Sequence, residues 1–154
     1  MADQHKRSMV KNTGIILLSE GKNIRIRAHG YSMYPSIRPG AMVIIEPIQV
    51  KGAPVPGEII AIETDTGLII HRLIKIVVRD NTRLFVARGD SNPFSDNPVK
   101  ISRIAGRVTG AETTAENTRK ADLRINPKPH YITNRLRVIV LQLWKKLGRL
   151  NRQQ

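Results

Sequence analysis

The sequence predicts a mainly β fold: a small domain with a barrel-like or coiled antiparallel sheet, followed by a C-terminal amphipathic helix. Short apolar stretches rich in Ile and Val recur between residues 23 and 109, with Gly, Pro and Asp between them. Strands joined by such short turns are typical of all-β domains. After residue 130 the apolar residues instead recur at steps of three and four, which is the period of a helix.

The predicted strands follow one another along the chain. We expect a half-buried strand where apolar and basic residues alternate, and buried strands where β-branched residues dominate. These segments are 23–28, 41–46, 58–63, 68–78, 84–87 and 100–109, and the last is expected to close the sheet. The turn signals between them are Pro39-Gly40, the segment 52–57, Asp65-Thr66-Gly67 and Asp80-Asn81. Before the first strand, the apolar residues 14–20 predict a strand or a helical turn packed on the core.

These elements divide the chain into four parts. We predict a flexible N-terminus at residues 1–13, a β domain at 14–112, a linker at 113–130 and a basic amphipathic helix at 131–154. Thr133 or Asn134 is expected to cap this helix. One apolar stripe runs along it, formed by Leu136, Val140, Leu143, Leu147 and Leu150. Its other faces carry basic residues, namely Arg135, Arg137, Lys145, Lys146 and Arg149.

The net charge is concentrated at the C-terminus. The formal charge is +14, and after residue 117 there are ten Lys and Arg against one acidic residue, Asp122. A basic amphipathic helix predicts binding to an anionic membrane surface. Nucleic acid is the weaker alternative because aromatic residues for base stacking are few, and a third possibility is that the helix packs on its own domain or on a partner protein.

The sequence contains no apolar run near the roughly 20 residues that span a bilayer. Together with the basic amphipathic helix, this predicts a peripheral membrane protein on either side of the membrane, which is cytoplasmic if no other anchor is present. There is no cysteine, which excludes disulfides, zinc–thiolate sites and a cysteine protease.

One loop presents a candidate nucleophile. Ser32 lies between two predicted strands, with Gly30 two residues before it and Pro35 three residues after it. Glycine allows a close backbone approach and proline fixes the turn, so the loop is suited to holding one hydroxyl on a rigid edge. A serine is a poor nucleophile without a neighbouring base.

His71 is the favoured base. It lies on the longest predicted strand, on a face shared with Ile69, Leu73 and Val77, so a hydrogen-bonded core histidine is the ordinary alternative. His29 is a weaker competitor because a side chain at the end of its strand is expected to point away from Ser32 or toward solvent. Lys75 is a second competitor, predicted to share the strand face of His71.

A polar loop at residues 88–98 carries two carboxylates, Asp90 and Asp96. Asp and Asn commonly stabilise turns, which alone explains such a loop. The functional interpretation is that one carboxylate accepts a hydrogen bond from His71 and orients its ring. The residues alone do not decide which of the two does so.

Three boxes resemble those of a known superfamily. They are Ser32-Met33-Tyr34-Pro35, then Leu68-Ile69-Ile70-His71-Arg72-Leu73-Ile74, then the segment from Arg88-Gly89-Asp90 to Asp96. In this order they are similar to type I signal peptidases and the related self-cleaving repressor proteases. The branch they most resemble is the archaeal, endoplasmic-reticulum and spore-former one, in which a histidine replaces the usual lysine. The resemblance covers roughly residues 22–110.

The resemblance implies a serine endopeptidase that cleaves a leader or signal-type peptide from a precursor, with no cofactor and no metal. Its catalytic residues would be Ser32, His71, Asp90 and Asp96, with a preference for Asp96 as the carboxylate that orients His71. The nucleophile loop with Gly30, Met33 and Pro35 would form the substrate and oxyanion side. Some relatives carry a hydroxyl at the position of Gly30, so a second oxyanion donor beside the Ser32 N–H would come from the backbone.

Two other functions remain open from the sequence. A self-cleaving regulator is disfavoured because only about 20 residues precede the domain, fewer than a DNA-binding helix-turn-helix module needs. A non-catalytic basic β domain that binds anionic lipid or nucleic acid is the alternative from another class.

Overall fold

The computed structural model describes residues 13–112 and 130–150. It is mainly antiparallel β with a C-terminal helix, which confirms the predicted fold class. The strands are β1 (Ile24–Arg27), β2 (Met42–Pro47), β3 (Ile59–Thr64), β4 (Gly67–Arg79), β5 (Thr82–Arg88), β6 (Val99–Lys100) and β7 (Ile104–Glu112). The helices are α1, which covers residues 13–19, then α2 (Ile48–Lys51) and α3 (Tyr131–Leu150).

The seven strands form one sheet in the order β1-β2-β7-β3-β4-β5-β6. The last strand therefore lies inside the sheet, between β2 and β3, and the sheet is not closed. Residues 101–103, predicted as the start of that strand, form a 3₁₀ turn instead. The prediction that residues 100–109 close the sheet is thus wrong, because β7 begins only after this turn and enters the middle of the sheet.

Two apolar clusters lie on opposite faces of the sheet, because successive side chains of a strand point to alternate sides. β3 contributes alternate residues to the two clusters. The first cluster also includes α1 through Leu18 and the loop between β1 and β2 through Met33 and Ile37. The loop that carries Ser32 is therefore fixed by burial of its own apolar side chains.

A bulge in β4 changes which side chains share a face. Leu73 and Lys75 of β4 pair with two consecutive residues of β5. The residue of β4 between Leu73 and Lys75 is therefore an extra one without a pairing partner in β5. An extra residue reverses the alternation beyond it. Accordingly Ile76 packs with Leu73 in the second cluster, while Lys75 is exposed. The prediction that Lys75 shares the face of His71 is therefore wrong, and the same holds for Val77.

The predicted C-terminal helix is confirmed as α3, but its predicted cap is not. The helix begins at Tyr131, so Asn134 lies inside its first turn, where its N–H bonds to the carbonyl of His130. The predicted flexible segment 1–13 and linker 113–130 fall almost wholly outside the described residues. No helix in the described ranges is long and apolar enough to cross a membrane.

Candidate active site

Ser32 lies in a compact turn between β1 and β2. The base of the loop is closed by hydrogen bonds from the Ala28 N–H to the Ala41 carbonyl and from the Gly40 N–H to the Ala28 carbonyl, each 2.8 Å. Met33 is buried in the first apolar cluster. Met33 thus anchors the loop, whereas Pro35, after a cis Tyr34–Pro35 peptide bond, is exposed.

The close backbone approach expected at Gly30 occurs elsewhere. Gly30 has a φ of +80° and open space around the position of a Cβ atom, so its role is to supply a left-handed turn. A Cβ on Gly89 would instead lie 2.7 Å from the carbonyl oxygen of Ser32. That same oxygen accepts hydrogen bonds from the Ser91 N–H at 2.8 Å and the Ser91 hydroxyl at 3.2 Å. The box that begins at Arg88 thus holds the backbone of the box that contains Ser32.

His71 contacts Asp96. The ring nitrogen Nδ1 lies 2.6 Å from Asp96 Oδ2, and the histidine is only 6% exposed. The Asp96 N–H in turn donates to the carbonyl of Ala87 at the end of β5, which fixes the backbone that carries the carboxylate. A carboxylate on Nδ1 selects the tautomer in which Nε2 is free to accept a proton. The geometry therefore pairs His71 with Asp96 and not with Asp90.

Asp90 has a different partner. It is completely buried and receives two hydrogen bonds from Arg72, Nε to Oδ1 at 2.8 Å and Nη2 to Oδ2 at 2.7 Å. The Ser36 hydroxyl donates to the same carboxylate, and Arg72 Nη1 donates to the Gly57 carbonyl. A buried charge needs such full pairing. Asp90 is thereby tied to the nucleophile loop through Ser36.

The three boxes meet where β5 leaves β4. Arg88, the last residue of β5, pairs with Arg72, so His71 is the first residue of β4 beyond that pairing. Successive side chains alternate, and so His71 faces Asp96 while Arg72 faces Asp90. The loop that follows β5 supplies both carboxylates and also holds Ser32 through Ser91.

The competing bases do not share this arrangement. His29 and Lys75 are both exposed, and no carboxylate among the described residues binds either of them. The Ser32 hydroxyl forms no hydrogen bond with any residue in ranges 13–112 and 130–150. The same ranges hold no cluster of three or more His, Asp or Glu side chains able to bind a metal ion.

Three residues that support the site were not predicted from the sequence: Arg72, Ser36 and Ser91. Arg72 stands directly after His71, and its charge is opposite to that of Asp90, which is the only signal the sequence offers for the pair. Ser36 and Ser91 are ordinary loop serines in the sequence. Their importance arises from contacts with residues far away in the sequence: Ser36 contacts a residue 54 positions away, and Ser91 contacts a residue 59 positions away.

Comparison with known proteins decides the family. The Peptidase S24-like family matches residues 2–109, which is most of the chain and includes all three boxes. The chain belongs to the Peptidase S24-like family. No curated protein matches the chain. Membership in this peptidase family agrees with the mainly antiparallel β fold described above.

In this S24-like chain, helix α3 lies against the candidate site. The Asn134 side-chain amide donates to the carbonyl of Asp90 at 2.9 Å, and Lys145 Nζ donates to the Tyr31 hydroxyl at 2.5 Å. The Arg88 guanidinium lies 3.5 Å from the centre of the Tyr131 ring. Asn134, predicted as a helix cap, thus connects the helix to the loop that carries both carboxylates.

Tyr131 occupies an unusual environment at this contact. Its hydroxyl is buried and has no hydrogen-bond partner among the described residues. Burial raises the pKa of Tyr131, because the charged phenolate is poorly solvated there; nearby Arg88 opposes this rise and Asp90 adds to it. The docked helix therefore favours neutral Tyr131.

Proposed function

We propose that the chain is a serine endopeptidase that cuts a leader or signal-type peptide from a protein precursor. Ser32 is the nucleophile, His71 the general base and Asp96 the residue that orients His71. The observation that carries this proposal is the 2.6 Å contact between His71 Nδ1 and Asp96 Oδ2 at a buried histidine. Family membership supports the hydrolytic class.

The proposed reaction passes through an acyl-enzyme. His71 Nε2 takes the proton of the Ser32 hydroxyl while Oγ attacks the scissile carbonyl carbon. The same proton then passes to the leaving amine as the C–N bond breaks, and the acyl group stays on Ser32 as an ester. A water molecule loses a proton to His71, attacks the ester carbon and releases the acid product. His71 returns the proton to Ser32 Oγ.

The negative charge that develops on the carbonyl oxygen needs a donor. The Ser32 N–H is the proposed donor. The carbonyl of its own peptide unit, that of Tyr31, accepts a hydrogen bond from the Ser91 hydroxyl at 2.5 Å, and the Ser32 carbonyl accepts one from the Ser91 N–H, so the peptide units on both sides of Ser32 are held in place. Gly30 offers no side-chain hydroxyl, so a second donor would come from the backbone. Each such donor is typically worth about 10²–10³ in rate.

Asp90 acts as a positioning residue in this proposal. Both oxygens of its carboxylate accept hydrogen bonds, from Arg72 and Ser36, and the residue is completely buried, so a substrate does not reach it. Through Ser36 it fixes the nucleophile loop, and through Arg72 it fixes the strand next to His71.

The open edge of the sheet suits an extended substrate. β1 is the terminal strand of the described sheet and leads directly into the Ser32 loop. An extended peptide that paired with this edge would gain backbone hydrogen bonds and run toward Ser32. This supports cleavage of an extended segment such as a leader peptide.

The test is cleavage of leader-bearing precursors by the full chain, followed by mass spectrometry of the products. We expect a single new terminus with the wild type, none with Ser32→Ala, and an unchanged yield with Ser19→Ala, an exposed serine in α1. Cleavage that persists in Ser32→Ala would overturn the proposal. If the chain cuts only itself and no added precursor, it is a self-cleaving regulator instead.

A further inference from the structure

Helix α3 has two opposite sides with different surroundings. The side that meets the β domain carries Tyr131, Asn134, Val138, Leu141 and Lys145. Asn134 and Val138 are buried, and Tyr131 and Leu141 are partly buried. These positions follow one another at steps of three and four, so they form a single line along the helix. The apolar stripe that the sequence predicts, which begins at Leu136, is therefore not the side of the helix that meets the β domain.

The opposite side, which we call the outer face, is apolar and exposed. It consists of Ile132, Leu136, Ile139, Val140, Leu143 and Leu147, which are between 39% and 78% exposed. With 3.6 residues per turn, this line is on the side of the helix away from Asn134 and Val138. The helix therefore does not use its apolar stripe to pack on its own domain. A contiguous exposed apolar surface of this kind marks an interaction site.

Basic side chains flank the outer face. Arg135 and Lys146 lie on one border and Arg137 on the other, all three exposed, and residues 131–150 contain no acidic residue. Two copies of the helix packed face to face would bring like charges together, which is unfavourable. A surface that is apolar inside and negatively charged at its boundary complements both features, and an anionic lipid bilayer is such a surface.

We propose that α3 binds an anionic lipid bilayer through its outer face while its other side stays docked on the candidate site. The helix then separates the bilayer from the nucleophile loop, which it contacts through Lys145 and Tyr31. A helix is about 10–12 Å across, so the loop would lie roughly that far from the lipid surface. Given the peptidase function proposed above, on which this step rests, the substrates would be membrane-attached precursors that are cut close to the bilayer.

The test measures binding of the full chain to phosphatidylcholine vesicles with and without phosphatidylglycerol. The outer-face variant Leu136→Gln/Leu143→Gln/Leu147→Gln keeps the charge and uses a good helix former. We expect its partition coefficient on anionic vesicles to fall by more than about tenfold, since each leucine loses buried apolar surface. Its helix content, read by circular dichroism, should match that of the wild type.

The matched control removes three exposed apolar side chains outside α3. Val50→Gln/Val55→Gln/Val78→Gln changes residues that are 51–66% exposed and should leave vesicle binding within about twofold of the wild type. A second variant, Arg135→Gln/Arg137→Gln/Lys146→Gln, should lose the preference for anionic over neutral vesicles, and added salt should have the same effect on the wild type.

Three results would overturn the proposal. One is equal binding of the outer-face variant and the wild type. Another is equal binding of the wild type to neutral and anionic vesicles. The third is a dimer in sedimentation equilibrium that the outer-face variant abolishes while neither protein binds vesicles, since the face would then belong to a second copy of the chain.

The substrate class is tested separately from the peptidase proposal. The outer-face variant should cut a soluble peptide at the wild-type rate and a vesicle-tethered peptide about tenfold more slowly at limiting protein. Equal slowing of both peptides, or of neither, would overturn the substrate class. Ser32→Ala should bind vesicles like the wild type, so failure of peptide cleavage alone would refute the proposed function and leave the bilayer proposal standing.

Discussion

At the scale of single residues, the candidate site separates the tasks of two carboxylates. Asp96 contacts the ring of His71, whereas Asp90 is buried in contact with Arg72 and Ser36. The two aspartates are six residues apart on one loop and reach opposite faces of β4. Substitutions at the two positions should therefore have different consequences, one on the reaction and one on the fold.

Substitutions in the proposed catalytic unit should abolish cleavage and spare the fold. Ser32→Ala and His71→Ala should each remove detectable turnover of a peptide substrate. Asp96→Asn should lower kcat by roughly 10⁴, because an amide favours the wrong tautomer of His71. Lys75→Ala is the control and should keep most activity, since Lys75 is exposed beyond the bulge. An inactive Lys75→Ala beside an active His71→Ala would identify Lys75 as the base.

Two glycines near Ser32 should respond differently to the same change. Gly89→Ala should abolish cleavage, because its Cβ would lie 2.7 Å from the Ser32 carbonyl oxygen and 2.9 Å from the Asn92 side chain. Gly30→Ala meets no neighbour and should retain most activity. Its positive φ costs about 1–2 kcal/mol of stability. Peptide turnover and thermal denaturation of both variants check this, and a fully active Gly89→Ala would contradict the role given to the contact.

Breaking the buried ion pair should destabilise the domain more than replacing it. Asp90→Ala leaves the Arg72 charge buried without its carboxylate, and we expect a loss of about 3–5 kcal/mol in the free energy of unfolding. The double variant Arg72→Met/Asp90→Leu should lose less, because no charge is left buried. Urea denaturation measures both. A double variant that is less stable than Asp90→Ala would show that the hydrogen bonds outweigh the desolvation of the pair.

At the scale of elements, α3 docks through contacts that are mainly polar or aromatic. Val138 is its one fully buried apolar residue within the described side chains, and the other contacts involve Asn134, Tyr131 and Lys145. Docking of this kind contributes little apolar burial, so the position of α3 should depend on the state of these side chains.

Docking of α3 should weaken at high pH. The pKa of Tyr131 is raised by burial from an ordinary value of 10.0, so the docked state binds its proton more tightly than the undocked state. The contribution of protonated Tyr131 to the free energy of docking is complete below about pH 10 and is lost as the pH rises through the raised pKa. Hydrogen exchange of α3 amides across this range measures the loss. Tyr131→Phe keeps a ring for Arg88 and should remove this step; a step of the same size in Tyr131→Phe would assign it to another group.

At the scale of the whole molecule, local patterns in the sequence were sufficient to locate the three boxes and most of the strands, but not β6 or the 3₁₀ turn before β7. Alternation of Ile and Arg predicted β1, and turn residues predicted the hairpin between β4 and β5. The bulge at Leu73–Lys75 could not be predicted, because the extra residue is defined only by pairing with β5. The same limit explains why α3 was predicted as a helix but its docking through Asn134 was not: the contact joins residues 44 positions apart.

The central claim is that Ser32 is a nucleophile activated by His71 and Asp96. Labelling the full chain with a serine-reactive peptidyl phosphonate, followed by peptide mapping, tests it most directly. We predict one adduct per chain, on Ser32, formed much more slowly in His71→Ala and Asp96→Asn and at the wild-type rate in Ser19→Ala. An adduct on another residue, or equal labelling of Ser32 in the wild type and in His71→Ala, would contradict the claim.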